Sequence, residues 1–245
     1  MTSQRGFTLI EMAIVLVIIT ILIGGLAVPL SAQIQARRIA ETSRIMEEAR
    51  EAIIGYAMTN PAEPVNSRHL PCPDIDGNGT EDRAGNACAG VPGAIATGFL
   101  PWVDLGVASQ DAWGNRLRYA VVAGLAANNL GFSIGSPLPA QPLVACSNNA
   151  CAAAAPDVAN NLAFVLVSHG PNGWGAQNIN NPAGTLLAAP NGPDEAANLD
   201  ADPIYVSRAP TQPAVAAGEF DDRLSWISFP QLITRVCPTG SDCAL

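Results

Sequence analysis

Residues 5–28, RGFTLIEMAIVLVIITILIGGLAV, decide the fold of the N-terminal part of the chain. From residue 7 to residue 30 the only polar side chains are Thr8, Glu11 and Thr20. A helix of this length spans roughly 36 Å, at about 1.5 Å per residue, which is enough to cross a bilayer. An ionised carboxylate at the centre of such a helix is unfavourable by about 3 kcal/mol, so intramembrane acids are usually paired or functional. The pattern predicts a membrane helix in which Glu11 lies among the lipid headgroups or binds a cation.

The residues before the apolar segment indicate proteolytic processing. A secretory signal peptide would end its apolar segment at a small-x-small cleavage site, whereas here Arg5-Gly6 precedes that segment. The string GFTLIE, residues 6–11, resembles the prepilin signature of type IV pilins and type II secretion pseudopilins. The resemblance implies that prepilin peptidase, a membrane aspartic protease, cleaves after Gly6 and that the new N-terminal residue, Phe7, is N-methylated.

The same resemblance gives Glu11 a role in assembly. Cleavage leaves an α-amino cation on Phe7, and a nearby cation stabilises an ionised carboxylate in poorly hydrated surroundings. The resemblance implies that Glu11 pairs with the Phe7 amine of a neighbouring subunit as the helices pack into a filament core. It also implies a single-pass inner-membrane protein with a periplasmic head. An inner-membrane assembly platform would build a homo- or hetero-polymer of such pilin-like subunits in the periplasm or at the cell surface.

The helical pattern continues beyond the apolar segment. Between Ile34 and Ala57 apolar residues recur at three- to seven-residue steps, and charged residues occupy the opposite faces. Asn60-Pro61 is a helix stop. The sequence therefore predicts a cleaved leader at 1–6, a transmembrane or filament-core half-helix at 7–30, an amphipathic half-helix at 31–60 and a globular head at 61–245.

Three runs in the head have strand character: RLRYAVV at 116–122, LAFVLVS at 162–168 and SWISF at 225–229. Tracts rich in Ala, Asn, Pro and Gly separate them, at 123–161 and 175–218, and these predict surface loops or insertions. Because an amphipathic helix must bury its apolar stripe, a sheet is its natural cover. Pattern and resemblance together predict a pilin-like α+β fold, with the long N-terminal helix packed on an antiparallel sheet with long loops.

Charge and cysteine content limit the function classes. The formal net charge is −9 and lysine is absent, so no basic stripe is present to bind nucleic acid. The six cysteines suit an oxidising compartment and permit 15 connectivities. They occur as three local couples, which favours the pairs Cys72–Cys88, Cys146–Cys151 and Cys237–Cys243. A zinc site is the rival, although no C-x-x-C is present.

The first acidic loop, CPDIDGNGTEDRAGNAC at 72–88, has partial EF-hand spacing. Its twelfth place is Gly85, where an EF-hand has a bidentate Glu. Two interpretations stay open: a structural calcium site completed by Glu81 or a backbone carbonyl, or a solvated acidic turn. The candidate ligands are Asp74, Asp76, Asn78 and Asp82.

Three segments of the head resemble, in order, segments of major type II secretion pseudopilins: DAWGNRLRY at 111–119, LVSHGPNG at 166–173 and FDDRLSW at 220–226. In that family the loop between the last two binds calcium. The resemblance implies that Asp221 and Asp222 are calcium ligands, with backbone oxygens from the region of Ser168. Asn172 stands where an acidic ligand is common, and the intervening loop is far longer, so acidic residues capping a turn are the alternative.

One enzyme motif competes with this interpretation. Gly131-Phe132-Ser133-Ile134-Gly135 fits G-x-S-x-G, and Asp157 and His169 follow in the order of an α/β-hydrolase triad. A nucleophile elbow needs a helix directly after the serine, and Pro137 and Pro139 oppose one. We therefore predict a non-enzymatic filament subunit of a type II secretion pseudopilus or type IV pilus-like filament. The alternatives are a minor pilin or adhesin and, more remotely, a membrane-tethered periplasmic hydrolase using Ser133.

Overall fold

A computed structural model describes residues 8–62, 67–91, 93–182, 184–215 and 218–243, without the side chains of residues 25–29. The chain divides into two compact units, with the boundary between Glu41 and Thr42. The helices are α1 Leu9–Thr59, α2 Trp102–Leu105, α3 Ala123–Ala126, α4 Pro193–Ala197 and α5 Phe229–Val236. The strands are β1 Pro61–Ala62, β2 Ser67–Arg68, β3 Arg83–Ala84, β4 Ala87–Cys88, β5 Ile95–Phe99, β6 Arg118–Val122, β7 Leu143–Cys146, β8 Ala159–Ser168, β9 Ile204–Val206 and β10 Arg223–Ser228.

The first unit contains the N-terminal part of α1. Its described large apolar side chains between Leu9 and Ile23 are 44% to 93% exposed. Across the described residues, no helix combines the length and the apolar character that crossing a membrane requires. The transmembrane segment predicted for residues 7–30 is therefore not confirmed.

The end of α1 lies in the second unit and agrees with the predicted stop. The Asn60 side-chain amide donates to the carbonyl oxygen of Tyr56 at 2.8 Å, which satisfies a helix-end carbonyl group. Pro61 then begins β1, which pairs with β2 in a small antiparallel sheet. The helix boundary that Asn60-Pro61 predicts is thus observed.

A six-stranded mixed sheet forms the centre of the second unit. Its order is β5-β6-β8-β7-β9, and β10 also pairs with β8. All these pairs are antiparallel except β7 with β9, which is parallel. The prediction of an antiparallel sheet is therefore correct for most of the pairs and wrong for this one.

The second unit buries the amphipathic face of α1 in the same apolar cluster as the sheet. Every residue of β8 from Leu162 to Ser168 is buried, which explains why this central strand reads as a continuous apolar run. Helix α5 contributes Phe229, Leu232 and Val236 to the core. The α+β class is confirmed. The buried α1 residues recur at helical spacing and are Ile45, Met46, Ala49, Ile53, Ile54 and Ala57.

The three predicted strands are observed as β6, β8 and β10, with their ends shifted by three residues at most. Both predicted loop tracts need correction. The tract 123–161 contains α3 and β7 and the start of β8, and the tract 175–218 contains α4 and β9. Hydrogen bonding to β8 brings β7 into the sheet, and hydrogen bonding to β7 brings in β9, although these strands are only four and three residues long.

Candidate functional site

The predicted processing residues Gly6 and Phe7 lie outside the described residues. The described part of the signature begins with a helix cap. The Thr8 N–H and hydroxyl donate to Glu11 Oε2 at 2.7 and 2.8 Å, and the Glu11 N–H donates to Thr8 Oγ1 at 3.3 Å. This reciprocal arrangement is a capping box, and its signal, Thr-x-x-Glu, is present in the sequence but did not enter the prediction. Glu11 therefore stabilises the start of α1.

The first two pseudopilin-like segments meet in a buried hydrogen-bond network. Ser168 Oγ donates to Asp111 Oδ2 at 2.6 Å, and the N–H groups of Trp113 and Asn115 donate to Asp111 Oδ1, both at 2.9 Å. The Asn115 amide donates to the Gly170 carbonyl oxygen at 3.1 Å. Burial raises the pKa of Asp111, and the hydrogen bond from Ser168 opposes this shift. The network fixes the loop before β6 against the end of β8.

The third pseudopilin-like segment, 220–226, also lies at the end of β8. Because Ser168 pairs with Arg223 across β8 and β10, Asp222 is brought beside His169. The distance between His169 Nδ1 and Asp222 Oδ1 is 3.2 Å. Asn198 donates to Asp222 Oδ2 at 2.8 Å and accepts from the Val206 N–H at 2.7 Å. All three segments of the resemblance thus converge on the junction of β8 and β10.

Three carboxylates form an acidic centre at this junction. Glu195, Asp221 and Asp222 each place an oxygen within 4.8 Å of the others. The Asp221 N–H donates to Glu195 Oε1 at 2.8 Å, and Asn172 bridges the pair, with its N–H 3.1 Å from Asp221 Oδ2 and its amide nitrogen 3.2 Å from Glu195 Oε1. Sequence reasoning missed Glu195 because it lies in α4, inside a tract predicted to be loop.

The acidic centre concentrates negative charge away from solvent. Glu195 is 1% exposed, and burial followed by the charge of Asp222 raises its pKa. Burial also raises the pKa of Asp221 to about 7; the Asn172 N–H opposes this shift, and the charge of Glu195 adds to it. Asp221 Oδ1 is buried and has no hydrogen-bond partner among the described residues. A carboxylate oxygen left unpaired beside other carboxylates needs a proton or a cation.

The donor set of the acidic centre fits a hard cation such as calcium, which prefers carboxylate and carbonyl oxygens. Of the two predicted ligands, Asp221 has the unpaired oxygen. Both oxygens of Asp222 are in contact with His169 and Asn198, so Asp222 contributes charge from a fixed position. A side chain at position 170 would collide with Asp221, and Gly170, at φ +55°, allows this close approach.

The first acidic loop is largely satisfied by its own backbone. Asp74 accepts from the N–H groups of Gly77 and Gly79 at 2.7 and 2.8 Å, and Asp82 Oδ2 accepts from the Ile75 N–H at 2.6 Å. The predicted ligands Asp74, Asp76 and Asp82 lie together, with oxygens within 4.8 Å of one another. The Asn78 amide contacts this group, because its Nδ2 donates to Asp76 Oδ2 at 3.0 Å. Calcium binding here stays a prediction.

The six cysteines form three disulfides, Cys72–Cys88, Cys146–Cys151 and Cys237–Cys243. These are the local couples that the sequence favoured over a zinc site. The first closes the first acidic loop, and the last follows α5 directly.

The residues of the hydrolase motif have separate partners. Ser133 Oγ lies 3.5 Å from Ser136 Oγ, Asp157 accepts from Ser147, and His169 contacts Asp222. The described contacts do not bring Ser133 to a histidine or an acid. No helix follows the serine, because residues 134–142 contain only turns, bends and irregular chain.

Comparison with known proteins gives one result. No match was found among curated proteins or among solved structures. Residues 1–27 match the family described as the prokaryotic N-terminal methylation motif. The chain therefore carries the N-terminal signature of type IV pilins and pseudopilins, and this signature implies a membrane-associated or surface filament protein that is processed by prepilin peptidase and assembles with pilin-like subunits.

Proposed function

We propose that this protein is a structural subunit of a type II secretion pseudopilus. Prepilin peptidase removes residues 1–6 of an inner-membrane precursor, Phe7 is methylated, and the half-helices 7–30 and 31–60 carry the subunit into a filament. The head, residues 61–245, forms the outer surface in the periplasm. The methylation motif at residues 1–27 supports the processing and assembly steps.

One observation favours secretion over other filament roles. The three head segments that resemble major pseudopilins lie far apart in the sequence but form one hydrogen-bonded junction, through Asp111 with Ser168 and His169 with Asp222. A chance resemblance of three short segments gives no reason for them to meet at one place in the fold. Their convergence supports the resemblance as a description of the head.

Calcium is proposed as a structural ion of the acidic centre, with Asp221 and Glu195 as carboxylate ligands. The buried, unpaired Asp221 Oδ1 supports this, as does the burial of Glu195. The ion would neutralise repulsion between carboxylates and so fix α4 and the long 175–218 tract against β10. A cation here would stabilise the fold and would take no part in a reaction.

The role is tested by deleting the gene and complementing it with the full-length chain. We expect deletion to abolish release of exoproteins and leave surface fibres intact, with complementation restoring release. Exoprotein activity in the medium and electron microscopy of the cells measure the two outcomes. Normal release after deletion would contradict the proposal.

A surface filament is the second candidate. The long 123–161 and 175–218 tracts, which hold exposed side chains such as Leu138 and Leu186, offer surface beyond the central sheet. Loss of fibres with intact exoprotein release in the same deletion strain would favour this pilus or minor-pilin role.

A further inference from the structure

We propose that Asn78 is the acceptor for an N-linked glycan. Asn78-Gly79-Thr80 is an Asn-x-Thr sequence, the acceptor pattern for this modification. None of the other asparagines in the chain is followed two residues later by serine or threonine. The inference rests on the periplasmic placement of the head in the proposed function, because the sugar donors of this reaction are lipid-linked and are used at a membrane surface.

The fold presents Asn78 to solvent. Asn78 is exposed, whereas the next residue, Gly79, is buried. A Cβ at Gly79 would lie 2.5 Å from the Trp102 side chain, and the Gly79 carbonyl oxygen accepts from the Val103 N–H at 2.9 Å. The loop is therefore fixed against α2 on one side of Asn78, and the Cys72–Cys88 disulfide closes it. An exposed side chain on an anchored loop has the access that a transferase needs.

Hydrogen bonds orient the acceptor amide. Asn78 Nδ2 donates to Asp76 Oδ2 at 3.0 Å. Asn78 Oδ1 accepts from the Thr80 hydroxyl at 2.6 Å and from the Thr80 N–H at 2.7 Å. The Asp76 carboxylate accepts from the Nδ2 N–H and so favours removal of a proton from this nitrogen, and the two donors of Thr80 stabilise the negative charge that then develops on Oδ1. The nitrogen becomes a nucleophile as it loses that proton. The hydroxyl that the acceptor pattern places two residues after the asparagine is thus in contact with the acceptor amide.

The reaction is a group transfer from a sugar linked to a lipid pyrophosphate. Asn78 Nδ2 attacks the anomeric carbon, and a C–N bond forms. The bond from that carbon to the pyrophosphate oxygen breaks, and the lipid pyrophosphate leaves with the electron pair. One Nδ2 proton is lost to a base, and the Asp76 carboxylate already accepts a hydrogen bond from Nδ2 at 3.0 Å. No oxidant or reductant is needed.

Peptide mass spectrometry of the protein from the cells that naturally produce it tests the proposal. Reduction, alkylation and cleavage after Arg68 and Arg83 release the peptide 69–83, HLPCPDIDGNGTEDR. Asn78 is its only amide side chain and Thr80 its only hydroxyl side chain, so fragmentation locates the sugar without ambiguity. We expect a glycan on Asn78. A peptide without a glycan, or a glycan on Thr80, would overturn the inference.

The same digest separates this inference from the proposed function. An N-terminal peptide that begins at methylated Phe7, together with a bare 69–83 peptide, would leave the filament role standing and refute the glycan. A glycan on Asn78 in a chain that keeps its leader would support the inference and contradict the filament role.

Three variants add matched controls. Thr80→Val replaces the hydroxyl with a methyl group of similar size and should lose the glycan, whereas Thr80→Ser should keep it. Asn86→Gln changes another exposed asparagine of the same disulfide loop, with Cys88 two residues later, and should also keep it. Retention of the glycan in Thr80→Val would show that the acceptor pattern does not direct it.

Discussion

At the scale of single residues, the observed helix cap of Glu11 can be separated from its proposed role in assembly. Its carboxylate closes the capping box with Thr8, and in the proposed filament its charge pairs with the amine of Phe7. Glutamine also serves at this position of a capping box, so Glu11→Gln keeps the cap and removes only the charge. We expect the variant to be folded and processed but to form no filaments. Glu48→Gln, which changes an exposed glutamate of the same helix, is the control and should assemble normally.

Filament assembly by Glu11→Gln at the wild-type level would show that the charge does not set helix register. Yield of sheared filaments, compared with total subunit by immunoblot, measures the effect. A folding defect would instead appear as loss of total subunit.

The acidic centre gives a second prediction at this scale. Calcium that binds only the folded state stabilises it by about 2.7 kcal/mol at a concentration one hundred times the Kd. For a chain of this size that corresponds to a rise of several degrees in Tm, since about 1 kcal/mol shifts Tm by about 2–4 °C. We expect the detergent-extracted protein to melt higher in calcium than in chelator. Asp221→Asn should lose most of this difference.

Asp242→Asn is the matched control, because the Asp242 side chain is 92% exposed and lies outside the acidic centre. It should keep the full calcium effect. Equal melting temperatures of the wild-type protein in calcium and in chelator would refute calcium binding at the acidic centre.

At the scale of elements, Glu81 connects α1 to the first acidic loop. Tyr56 Oη donates to Glu81 Oε1 at 2.9 Å, and the Cys72 N–H and the Arg83 guanidinium each lie 2.9 Å from Oε2. Burial raises the pKa of Glu81, but the Arg83 guanidinium and the other donors outweigh it and hold the pKa below the ordinary value of 4.5. The ionised form of Glu81 is thus the one that the fold stabilises.

Because the folded-state pKa of Glu81 is lowered, its stabilising contribution is present above pH 4.5 and is lost as the pH falls through the folded value. We expect Glu81→Gln to lower the free energy of unfolding by about 2 kcal/mol at pH 7, the order of a hydrogen bond to a charged group. The difference in unfolding free energy between Glu81→Gln and the wild-type protein should disappear in acid. Denaturant unfolding curves at pH 7 and below pH 4 measure this difference. A difference that does not change with pH would contradict this role of Glu81.

The elements also show how far the sequence predicts the fold. Strands β6 and β8 were predictable because their apolar and β-branched residues form runs that are buried in the sheet. Strand β10 was predictable from its Trp226 and Ile227, although only Ile227 of this strand is buried. Strands β7 and β9 are short segments inside Ala- and Asn-rich tracts, and their pairing with each other is long-range. No local pattern encodes such a pairing.

The residues of the candidate site also fall into those that the sequence predicts and those that it does not. Asp221 and Asp222 were found from a contiguous segment that resembles a known family. Glu195 joins them only because the tract that carries α4 returns to the start of β10. The Thr8-x-x-Glu11 cap was available from local spacing alone. Clusters assembled by tertiary structure are the part that a single sequence does not reveal.

At the scale of the whole molecule, three disulfides, a net charge of −9 and the absence of lysine describe an acidic chain suited to an oxidising compartment. The signature at residues 1–27 adds processing and assembly to this description. In the proposed function both depend on the same event, release of a new N-terminus at Phe7.

Mass spectrometry of the N-terminal peptide of the membrane-extracted protein tests that event most directly. The account predicts a mature chain that begins at Phe7 and carries a methyl group on its α-amine, because cleavage and methylation follow from one motif. A native protein that still begins at Met1 would contradict it.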